Sequence, residues 1–72
     1  MERIEVQDRC AEPGPLYGTG MTWQEKDTDG RRWSGIELLG PTGQQYHKLS
    51  RFNLASRVSH DYYEVRLYEV RP

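Results

Sequence analysis

A chain of 72 residues holds one domain at most, and one this short buries only about 60% of the surface its unfolded form exposes, so its core is thin. Hydrophobic residues make up 35% and charged residues 29%, with a formal net charge of -1, and no apolar run exceeds two residues, which excludes a membrane-spanning helix and a signal-peptide core. The single cysteine, Cys10, excludes an internal disulfide framework and a multi-thiolate zinc site, and points to a reducing, cytoplasmic setting.

Residues 3–9 alternate, with Ile4 and Val6 on one side and Arg3, Glu5 and Gln7 on the other, the period of a half-buried strand. Ala11 to Pro15, with two prolines around Gly14, reads as a loop. Leu16 to Lys26 is predicted as a second strand in which Tyr17, Thr19, Met21 and Trp23 share a side and Gly18 and Gly20 permit bending. Asp27-Thr28-Asp29-Gly30 is the strongest turn signal, read as a two-residue hairpin loop at Asp29-Gly30. Residues 31–39 form a third strand, Gly40 to Gly43 a second turn, and residues 44–49 a fourth strand. Residues 50–59 suit either a strand or a short helical turn capped by Ser50, and the expectation is a loop with a single 3₁₀ or α turn. His60 to Arg71 closes the chain as a strand, with Tyr63, Val65 and Leu67 facing one way and Tyr62, Glu64, Arg66 and Tyr68 the other.

With these turns, Trp23 opposes Ile36, Met21 opposes Leu38, and Ser34 opposes Leu49. Met21, Trp23, Ile36, Leu38 and Leu49 then form an inner face, and a one-residue slip would turn those side chains to water. The opposite face carries Trp33 and Tyr46 among polar residues. Ile4, Val6, Phe52, Leu54, Tyr63, Val65 and Leu67 complete the expected core. So few apolar residues cannot stabilise a flat sheet, so the sheet must curl back on itself or be covered by a partner. The expectation is an all-β domain spanning residues 1–72, a five-stranded up-and-down curled sheet or barrel. The order of features over residues 16–70, two tight hairpins followed by an irregular segment and a last strand, resembles that of SH3-like small barrels. The resemblance is architectural and implies no function.

Charge is uneven. Residues 1–29 hold seven acids against three bases, and residues 30–60 hold Arg31, Arg32, Lys48, Arg51 and Arg57 against Glu37 alone. The last twelve residues return to a slight acidic excess. A basic middle attracts phosphates or an acidic protein face, unless the segments neutralise one another in the fold.

Little in the chain points to catalysis. Cys10, His47, His60 and Asp61 are too scattered to predict a metal site. No nucleophile elbow, phosphate loop or dinucleotide fingerprint is present. A non-enzymatic protein without cofactor is therefore expected. Arg31, Arg32, Trp33, Tyr46, Lys48 and Arg51 interleave cations with aromatic rings, a composition suited to a protein interface. Tyr62, Tyr68 and Val70 offer a second outer patch. The expected function is stoichiometric binding to a larger protein, as a regulator or inhibitor of the size encoded by phages and other mobile elements. The same six residues also suit a single-stranded nucleic-acid platform, against which the net charge of -1 counts. Self-association is a third use of an apolar outer surface.

Overall fold

The computed structural model describes residues 1–6, 13–53 and 62–72. Five strands form one antiparallel sheet: β1 (Glu2–Glu5), β2 (Tyr17–Lys26), β3 (Arg32–Leu39), β4 (Gln45–Asn53) and β5 (Tyr62–Arg71). The spatial order is β1-β5-β4-β3-β2, so β2 to β5 run as a meander and β1 lies beside β5. This is the expected all-β, five-stranded architecture, and it is consistent with an SH3-like small β fold. The helical turn expected within residues 50–59 does not begin at Ser50: residues 50–53 continue β4. The rest of that segment lies outside the described residues, as does the end of the first predicted strand beyond Val6, whose N–H donates to Leu67 O at 2.8 Å.

Both tight turns are built alike. In the first, Gly30 N–H donates to Asp27 O at 3.0 Å and Asp27 N–H donates to Arg31 O at 2.9 Å, with Gly30 at φ 80°. In the second, Gly43 N–H donates to Gly40 O at 3.1 Å and Gly40 N–H donates to Gln44 O at 2.8 Å, with Gly43 at φ 88°. Each is a three-residue loop in which a four-residue turn ends on a left-handed glycine. Asp27 holds the first turn shut, its Oδ1 accepting the N–H groups of Asp29 and Arg31, each at 2.9 Å. Pro41 supplies the fixed φ of the second.

These loops correct the expected register. Trp23 pairs with Gly35, not Ile36, and Leu49 pairs with Gly35, not Ser34. A loop one residue longer or shorter reverses every side chain of the next strand. Trp23 and Leu49 do share a face, but Trp33, Gly35, His47, Arg51, Glu64, Arg66, Tyr68 and Arg3 lie on it with them. Ile36 and Leu38 fall on the opposite face, with Val65, Leu67, Phe52, Tyr63 and Ile4. Relative to the expected faces, β1, β3 and β5 are all turned over. Tyr68 and Val70, read as outer residues, therefore face inward.

The inner face is the one the sheet curls around. Among the described residues only Trp33 (3% exposed), Tyr46 (6%) and Leu49 (5%) are buried hydrophobics. Met21, Phe52, Tyr63, Val65 and Ile4, expected in the core, are exposed. Across the open side of the curl, Arg3 of β1 reaches Glu25 of β2, its Nη1 donating to Oε1 at 3.0 Å. The two edge strands are thus joined by a side-chain ion pair.

Candidate functional site

The inner face is closed by its own charges. The guanidinium groups of Arg51 and Arg66 sit 5.5 and 5.3 Å from the centroid of the Trp33 ring. Glu64 lies between them, 3.8 Å from Arg51 Nη1 and 3.5 Å from Arg66 Nη2. Trp33 Nε1–H donates to Asp27 Oδ2 at 3.0 Å. That bond, with the two turn N–H groups, holds the Asp27 carboxyl below the usual aspartate range. Arg3 stacks 5.6 Å from the Tyr68 ring while paired with Glu25, which also accepts Trp23 Nε1–H at 2.9 Å. A cavity of about 410 Å³ lies among Arg3, Glu25, Asp27, Trp33, Arg66 and Tyr68. Its arginines already have carboxylate partners, and Lys26 also lines it.

Among the described residues, His47 and Arg51 are the two members of this face that bury a polar nitrogen without a hydrogen bond. His47 meets Trp23 edge-on at 4.6 Å between ring centroids, and its Nδ1 is buried without a hydrogen-bond partner. Burial lowers its pKa from the usual histidine value, and the charge of Arg3 adds to this, against opposing contributions from Glu37 and Glu25. The neutral ring therefore belongs to the folded state. Its contribution to stability is complete above the ordinary histidine pKa and is lost as pH falls through the depressed folded value. Urea midpoints should drop between pH 7.5 and 5.5, and His47→Gln should flatten that slope. Equal slopes in both proteins would mean that the imidazole titrates as if in water.

The outer face is of the opposite character. Leu16, Ile36, Leu38, Val65 and Leu67 line an open groove of about 410 Å³, with Lys48 among them. Lys48 sits between Ile36 on β3 and Leu67 on β5 in the ladder. Ile36, Leu38 and Leu67 are half-buried, and Val65 is 43% exposed. Phe52 and Tyr63 extend the patch as a cross-strand pair and are 59% and 62% exposed. Tyr46 lies on the same face, its ring packed so tightly on Gly40 that a Cβ there would stand 3.1 Å from Cε2.

The six residues singled out from the sequence are therefore divided between the two faces. Trp33 and Arg51 belong to the inner cluster, and the burial of Trp33 removes it from any contact surface. Tyr46 is on the outer face, but it too is buried. Arg32 and Lys48 share the outer face, and Arg31 is exposed at the end of the first turn. The expectation that Trp33 and Tyr46 are exposed docking rings is overturned because the three-residue turn swings Trp33 inward and Gly40 admits the Tyr46 ring. Sequence reasoning missed the outer groove because its aliphatic residues were assigned to the core.

No group of three or more His, Cys, Asp or Glu side chains able to hold a metal occurs among the described residues, which do not include Cys10, His60 or Asp61. No helix among them is long and apolar enough to cross a membrane. No protein-family model matches the chain, and neither a curated protein nor a solved structure is significantly similar to it.

Proposed function

We propose that this chain is a non-enzymatic binding protein that docks onto a protein partner through the outer face of its sheet, acting as a stoichiometric regulator. The observation that carries this reading is the aliphatic groove of Ile36, Leu38, Val65 and Leu67, held in the open by a sheet whose other face takes both indoles. An apolar patch kept at the surface of so small a domain is a mark of an interaction site.

The nucleic-acid reading has less support. Single-strand platforms need accessible rings and free cations. Here both rings of that reading, Trp33 and Tyr46, are buried, and its Arg51 is paired with Glu64, which leaves Arg31, Arg32 and Lys48 without an accessible ring of that set beside them.

Affinity capture from the source cell, run with wild type and two variants, tests the proposal. Val65→Asp alters an exposed position in the groove and should leave the fold intact by circular dichroism. A partner recovered in one-to-one amount by wild type and by Arg31→Glu, but lost by Val65→Asp, is the expected result. Retention of that partner by folded Val65→Asp, or tight salt-dependent binding to single-stranded oligonucleotides, would contradict it.

A further inference from the structure

Resting on the docking face just proposed, the charge on that face identifies its occupant more narrowly. Leaving aside Lys26, which lines the inner cavity, the charged residues whose register places them on the outer face are Arg32, Lys48 and Arg71 against Glu2 and Glu69. A chain with a net charge of -1 thus gathers a basic excess on its apolar face. Glu69 is already engaged by Arg71, whose Nη2 donates to Oε2 at 3.2 Å. Lys48, in the middle of the groove, has no carboxylate partner among the described residues, although Leu16, Ile36, Leu38, Val65 and Leu67 surround it. An ammonium group covered by an apolar partner is costly unless that partner supplies an anion.

We infer that the groove receives an apolar polypeptide segment carrying a carboxylate that pairs with Lys48. A second copy of this chain fits less well. A two-fold axis that buries groove against groove brings Lys48 towards its own copy; of the two acids on that face, Glu69 is engaged by Arg71 and Glu2 lies on edge strand β1, two strands from Lys48. Lys48 would then act chiefly through specificity, rejecting neutral and basic segments that the aliphatic walls alone would accept.

The test uses three synthetic peptides of equal leucine content that differ only in bearing glutamate, glutamine or lysine, titrated into ¹⁵N-labelled protein. The glutamate peptide should shift the amides of Ile36, Leu38, Val65 and Leu67 and bind about fivefold tighter than the glutamine peptide. Lys48→Glu should reverse the order in favour of the lysine peptide. Equal binding of all three, abolished by Val65→Asp, would overturn the carboxylate assignment and leave the docking face standing. Shifts confined to other surfaces, or no binding at millimolar peptide, would overturn both. Light scattering that shows a dimer dissociated by Val65→Asp would overturn the assignment in favour of a second copy.

Discussion

Trp33→Ala should cost about 3–5 kcal/mol, enough to leave much or all of the chain unfolded at 25 °C, because a domain of this size commands only about that much stability. The indole is 3% exposed and is the largest buried side chain among the described residues. Its removal leaves a void and also strips two guanidinium groups of the ring they stack on and Asp27 of a hydrogen-bond donor. Arg51 is the more sensitive of the two arginines, since its side chain is 13% exposed and its Nη1 is buried without a hydrogen bond. Trp33→Phe keeps most of the volume but not the N–H, so it should lose less and remain folded. Urea titrations followed by circular dichroism measure both. A loss below about 1 kcal/mol for Trp33→Ala would return this ring to the surface.

The second large effect is at Gly35. A Cβ built there would stand 2.6 Å from Trp23 Cζ2 and 2.7 Å from its Nε1, and would also meet Cε2. These are atoms of a ring held by Glu25 on one side and met by His47 on another, so the ring cannot move aside without losing both contacts. Gly35→Ala should therefore destabilise by about 1–3 kcal/mol, the range for overpacking. The cause is separable by a double-mutant cycle: in a Trp23→Ala background the same substitution should cost little. Equal cost in both backgrounds would show that the clash with Trp23 is not responsible. Gly35 thus serves by having no side chain, and its usual penalty in a strand is offset by the indole packed over it.

The strands themselves were legible. Alternation and turn residues located all five, and β2 begins and ends within a residue of its predicted bounds. Which way β1, β3 and β5 face was not. Asp29-Gly30 suits a two-residue loop as well as the end of a three-residue one, and the two differ by one residue of register. The distinguishing signal was Asp27, whose side chain binds the N–H groups of Asp29 and Arg31 and thereby starts the turn one residue earlier than expected. Gly40-Pro41-Thr42-Gly43 carries the matching signature, proline second and glycine fourth. Once β3 is turned over, burial no longer follows hydrophobicity: arginines stack on an indole inside while isoleucine, leucine and valine line a groove outside. Sequence alone assigns an aliphatic residue to the core, because that is where most of them go. In a sheet with one face already filled, the second set stays at the surface.

The proposed docking face depends on β3 presenting Trp33 inward and Ile36 and Leu38 outward. Cross-strand NOEs among backbone protons report that register directly. Contacts pairing Gly35 with both Trp23 and Leu49, and Ile36 with Lys48, are predicted. Contacts pairing Trp23 with Ile36 and Ser34 with Leu49 would put the indole of Trp33 outside and the aliphatic groove inside, and would contradict the account.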